Sequence, residues 1–147
     1  MSEIRIAPDI VANEETIARV VFSPSMVVNG KLAPTAFRMR NLGSGPETYV
    51  SVWRQDFIVP TKENTSNINP PEENVLYGYA SIKVGECRSI SLGGVTVDVK
   101  SYPNKRNPYH AGICFSKFAE RLKGICQEPG FIGITKILAT HSILIAI

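Results

Sequence analysis

Between residues 95 and 100 valine alternates with threonine, aspartate and lysine, so three apolar side chains fall on one side and three polar ones on the other. A period of two belongs to a strand with one covered face. Comparable β-branched or apolar runs recur at 16–22, 48–53, 75–84 and 109–115. Proline, glycine and asparagine separate them, which confines the chain to short strands joined by turns.

The connections are legible by the same chemistry. Asn29-Gly30 supplies the two positive φ angles of a type I′ turn, so 26–32 is a hairpin or tight loop. Residues 34–40 read equally as a helical turn or a strand, and Gly43, Gly45 and Pro46 make 42–46 a loop. In the strand at 48–53, Tyr49 and Trp53 share one face while Val50 and Val52 share the other, so both faces are at least partly covered. Residues 85–90 read as a single helical turn. Ser116 suits the N-cap of a helix to about residue 127, with Phe118, Leu122, Ile125 and Cys126 on its apolar side. Pro129 and Gly130 break it. Residues 131–140 then form a second helix and 142–147 an apolar strand, or the whole stretch forms two strands.

Strands followed by a helix-rich C-terminal portion predict an α+β fold: a mainly antiparallel or mixed sheet of about five to six strands, with one or two C-terminal helices packed on one face. Regular βαβ alternation is missing, and neither Gly43-Ser44-Gly45 nor Gly93-Gly94 continues into a phosphate loop or dinucleotide fingerprint. A length of 147 residues bounds this to a single domain, 1–147. Residues 1–15 read as a loosely held arm. The proline-interrupted polar stretch 60–74, with Ile68 as its apolar anchor, reads as a mobile loop.

Charge excludes little. The formal net charge is +3, short of a dedicated nucleic-acid binder, but the excess gathers between residues 83 and 123, where eight basic residues face three acids. Cys87, Cys114 and Cys126 are odd in number and form no CxxC pair, and the first residues lack the apolar core of a secretory signal. Those features predict free thiols and a cytoplasmic location. The apolar stretch 137–147 is about half of what crosses a bilayer, so no membrane partner is expected.

The stretch 105–110, Lys-Arg-Asn-Pro-Tyr-His, carries the most chemistry. It delivers His110 to the start of a strand with Tyr109 beside it. Histidine exchanges protons near neutrality, and arginine or lysine stabilises a developing anion. Paired with Arg54, His110 and Tyr109 would make a metal-independent nuclease or phosphotransfer centre acting on RNA. Consecutive strand residues point to opposite faces, however, so only one of Tyr109 and His110 enters a given pocket. A strand-edge histidine hydrogen-bonded to backbone is the plainer account.

Other chemistries fare less well. His110 and Cys114 share a strand face about 13 Å apart, too far for one zinc ion, so no metal or cofactor is implied. A thiol–imidazole pair of Cys114 with His110 or His141 has little support. Ser23, Ser25, Ser44 and Ser116 lie near turns but in no nucleophile elbow. A nucleic-acid or protein partner is served instead by Arg38, Arg40, Lys105, Arg106, Lys117 and Arg121, with Tyr49, Trp53, Tyr77 and Tyr79 as stacking groups.

The segments at 20–25, 29–31, 36–37, 50–52 and 107–112 together resemble short bacterial proteins to which no activity is assigned. The resemblance implies a bacterial intracellular origin within a multi-gene system and carries no catalytic residue across. The expectation is therefore a non-catalytic binding or assembly module that contacts another protein of its system, or RNA or DNA, through a basic surface. The rival is the His110–Arg54 enzyme.

Overall fold

A computed structural model describes residues 6–39, 41–42, 45–116 and 129–147. Its strands are β1 (Thr16–Ser23), β2 (Val27–Val28), β3 (Lys31–Leu32), β4 (Asn41–Leu42), β5 (Gly45–Pro46), β6 (Val50–Arg54), β7 (Val75–Lys83), β8 (Ser91–Leu92), β9 (Val95–Ser101), β10 (His110–Phe115) and β11 (Ile143–Ala146). A 3-10 turn spans Pro34–Phe37, and two helices are described, α1 (Val84–Arg88) and α2 (Pro129–His141).

Seven strands form one sheet in the order β11-β7-β1-β6-β10-β9-β8, every neighbouring pair antiparallel. The α+β class is as expected and the strand count is slightly higher. The added strand is β8, two residues folded back on β9 across Gly93 and Gly94, both at positive φ. Two residues carry no alternation to read. At Asn29-Gly30 both residues adopt positive φ, 53° and 74°, between β2 and β3 as the turn chemistry requires. Of the two readings for 131–147, helix followed by strand is the one observed. The expected helix at 116–127 falls, from residue 117 onward, outside the described residues.

Register divides the sheet into two faces. Val52 pairs with Ala111, Val50 with Ile113, Ile113 with Val99 and Phe115 with Val97. These side chains make one apolar face, on which α2 lays Phe131, Ile134 and Leu138, all buried. The Phe115 and Phe131 rings lie 5.1 Å apart at 56°. In β9 the three valines are buried while Thr96, Asp98 and Lys100 are exposed. The other face carries Trp53, paired with His110, and Ser51, paired with Gly112. Among the described residues, the loops at 64–69 and 104–107 lie against it.

The latter part of the expected arm is held down. Val11 is buried, and Ala12 donates its N–H to Glu15 Oε2 at 2.8 Å. The amides of Val84 and Gly85 at the start of α1 donate to the carbonyls of Glu15 and Asn13.

Candidate functional site

The site arises where two strands part. β1 and β6 pair at Ile17 with Arg54 and at Ala18 with Trp53, and no further. Beyond that point the Arg19 guanidinium takes over from the ladder: Nε donates to the Ala36 carbonyl at 2.8 Å and Nη1 to the Ser51 carbonyl at 2.9 Å. In the gap lies a cavity of about 240 Å³. Its floor is Arg19, Val20 and Phe22 from β1 with Ser51 and Trp53 from β6, joined by His110 from β10.

Two loops complete the walls. From the stretch expected to be mobile come Asn64, Asn67, Ile68 and Asn69. Thr61 and Asn64 cap each other there, the Thr61 N–H donating to Asn64 Oδ1 at 2.7 Å and the Asn64 N–H to Thr61 Oγ1 at 3.1 Å. Thr65 is buried and Ile68 packs against the core. The basic turn supplies Asn104, Arg106 and Asn107. Asn104 Oδ1 accepts the N–H groups of Arg106 and Asn107 at 3.0 and 2.7 Å, which fixes that turn from within.

His110 is buried beneath this turn, and both ring nitrogens are engaged. Nδ1 lies 2.9 Å from the Tyr102 carbonyl, which can only accept, so Nδ1 carries the proton and donates. Nε2 is then an acceptor, and Ser51 Oγ stands 2.5 Å from it as donor. Burial pulls the His110 pKa below its ordinary value and the nearby Arg19 charge adds to that, while the bond to the Tyr102 carbonyl opposes both. The imidazole is neutral at pH 7. An unfolded chain would protonate this residue near pH 6.5. The folded state therefore loses stability as pH falls below that value, until the folded imidazole itself titrates. Urea midpoints at pH 7.5 and 5.5 should drop more for the wild type than for His110→Gln. Equal drops would show that His110 is not buried neutral.

The residues expected to act together do not all meet. Arg54 follows Trp53 on β6, so its side chain leaves on the opposite face from His110, and it does not line the cavity. It is fully buried in an ion pair with Glu15, Nε to Oε1 at 2.9 Å and Nη2 to Oε2 at 2.8 Å. Nη1 donates to the Pro8 carbonyl at 2.6 Å. Arg54, expected beside His110, is thus held by Glu15 on the opposite side of the sheet. Tyr109 is also buried, its ring stacked on Phe57 at 5.2 Å, and it is not part of the cavity wall.

Of the expected cationic contacts, Arg38, Lys105 and Arg106 are exposed, and Arg106 alone of these lines the cavity. Arg40, Lys117 and Arg121 lie outside the described residues. Arg19 and Ser51 were not expected at the site. The signal for Ser51 was its place between Tyr49 and Trp53 on one strand face. Its histidine is far away in sequence, and only strand pairing unites them.

The two described thiols, Cys87 and Cys114, do not line the cavity, and Cys126 lies outside the described residues. Burial pushes the Cys87 thiol up to about 12, and burial likewise raises that of Cys114, which lies 3.6 Å from the Tyr102 hydroxyl. Among the described residues no group of three His, Cys, Asp or Glu side chains forms a metal site, and no helix is long and apolar enough to cross a membrane. No family model, curated protein or solved structure matches this chain.

Proposed function

We propose that this protein is a binding module that takes an anionic segment of single-stranded nucleic acid into the cavity between β1, β6 and the two covering loops. The observation that carries the reading is the composition of the wall. Arg19 and Arg106 contribute positive charge, five asparagines contribute amide donors and acceptors, Trp53 contributes an aromatic surface, and no carboxylate is among the described residues that line the cavity. Phosphate attracts guanidinium groups, while amides and an aromatic ring suit the edges and face of an unpaired base. Lys105, exposed beside Arg106, extends the positive charge outward. The resemblance to short bacterial proteins supports placing this module in the cytoplasm as part of a multi-protein system. The alternative, an RNA nuclease built on His110 and Arg54, loses support because the Arg54 guanidinium is engaged by Glu15 on the other sheet face.

The chain has a single tryptophan, and it lines the cavity, so its fluorescence reports occupancy without a label. Titration with an oligouridylate in low salt should change Trp53 emission in a saturable way. Arg106→Ala should weaken the binding several-fold and reduce the slope of log affinity against log salt by about 0.7. Unchanged emission at every concentration, or an Arg106→Ala affinity equal to wild type, would remove nucleic acid from consideration.

A further inference from the structure

The Ser51–His110 contact goes beyond binding. An activated serine needs a neutral imidazole nitrogen within hydrogen-bond reach of its hydroxyl, a group that orients the other ring nitrogen, and a cavity where the reacting carbon can sit. All three are present. Ser51 Oγ donates to Nε2, the Tyr102 carbonyl holds Nδ1–H at 2.9 Å, and both Ser51 and His110 line the cavity. The backbone carbonyl takes the place a carboxylate occupies in other serine–histidine arrangements, where it fixes the tautomer and ring orientation.

An independent feature of the same wall concerns the oxyanion. Asn107 is buried, and its Oδ1 accepts the Tyr109 N–H at 2.8 Å, so the amide orientation is set. Asn107 Nδ2 is the buried side-chain donor left without a hydrogen-bond partner among the described residues. Such a group costs free energy unless something meets it. A negative oxygen forming in the cavity is what this donor lacks. The apolar part of the wall, Val20, Phe22, Met26, Ile58 and Ile68, suits a short hydrocarbon chain.

We propose that Ser51 is a nucleophile and His110 its general base in the hydrolysis of a short-chain carboxylic ester held in this cavity. Ser51 Oγ bonds to the carbonyl carbon as its proton passes to Nε2. The carbonyl oxygen becomes an oxyanion toward which Asn107 Nδ2 donates. The ester C–O bond then breaks, the departing alkoxide takes the proton from Nε2, and an acyl-serine remains. A water molecule repeats the sequence, giving its proton to Nε2, which returns it to Ser51 Oγ as the carboxylic acid leaves.

The test uses the full chain with an alkyl fluorophosphonate, which phosphonylates a nucleophilic serine with loss of fluoride, and with 4-nitrophenyl acetate. The expected result is a single adduct by intact mass, mapped by peptide sequencing to Ser51. Wild-type esterase turnover should be lost in Ser51→Ala and fall at least about 100-fold in His110→Gln. The labelling rate of the wild type should fall in acid as the imidazole takes a proton. Among the described residues, Arg19, Arg106, Tyr49 and Tyr102 are the other charged or titratable groups around that ring. An adduct on another residue, no adduct, or labelling that is equal in His110→Gln and flat with pH would overturn the proposal. The pH profile and the mapped peptide come from unmutated protein, so they decide the matter even if a variant does not fold. Oligouridylate binding can fail while Ser51 labels, and the reverse, so the two readings are separable.

Discussion

Glu15→Gln should destabilise the fold by about 3–5 kcal/mol, the usual consequence of leaving one partner of a buried ion pair uncompensated. Arg54 has no access to solvent, and Glu15 binds it through both carboxylate oxygens. Burial by itself would raise the Glu15 pKa. The Arg54 hydrogen bond, the Ala12 amide and the charges of Arg54 and Arg88 outweigh that and hold the carboxyl below its ordinary value. A lowered carboxyl contributes stability that is present above the unfolded pKa and lost as pH falls through the folded one. Acid sensitivity below about pH 4.5 should accordingly be blunted in Glu15→Gln. Denaturant midpoints of the wild type, Glu15→Gln and the apolar double replacement Glu15→Leu/Arg54→Met check this. The double variant should recover most of the loss, since a packed apolar pair needs no compensating charge. A single variant within about 1 kcal/mol of wild type would show that the guanidinium reaches water after all.

Gly78→Ala should release β11 from the sheet. Gly78 pairs with Val21 on one side and Ala146 on the other. A Cβ at this position would stand on the Ile145 carbonyl oxygen and lie 2.9 Å from Ala146 Cα, both backbone atoms that cannot turn aside. We expect a loss of about 2–3 kcal/mol, as for overpacking elsewhere, together with fast amide exchange across Ile143–Ala146. Gly112→Ala is the control. Its Cβ would meet ring carbons of Tyr49 and Tyr102 at 2.6 to 2.9 Å, side chains that can rotate, so β11 should stay protected. Slow exchange at 143–146 in Gly78→Ala would mean that β11 does not pair closely with β7.

The fold was largely legible because its information is local. The valines of β9, the Asn-Gly turn and the breaks at proline and glycine each act within a few residues. β8 escaped because two residues have no period. The site was legible in part. His110 and Arg106 stand out as a histidine and a cation on a turn before a strand. Arg54, by contrast, reads as a cation at the end of a strand, and nothing near it in sequence reveals Glu15, 39 positions away. Ser51 has the opposite history. It looks like an ordinary strand serine until pairing sets it beside an imidazole 59 positions distant. The cavity depends on where β1 and β6 stop pairing, and that is a property of the assembled sheet rather than of either segment.

One consequence of the two-faced β6 concerns misfolding. Trp53 and Arg54 are adjacent, the first in the cavity floor and the second sealed against Glu15. A slip of one position between β6 and its neighbours would exchange them, setting an indole against the Glu15 carboxylate and a third guanidinium beside Arg19 and Arg106. Each error alone is costly, and they occur together. The tryptophan–arginine dipeptide thus acts as an alignment pin for the middle of the sheet, penalising the off-by-one arrangement that valines alone would tolerate.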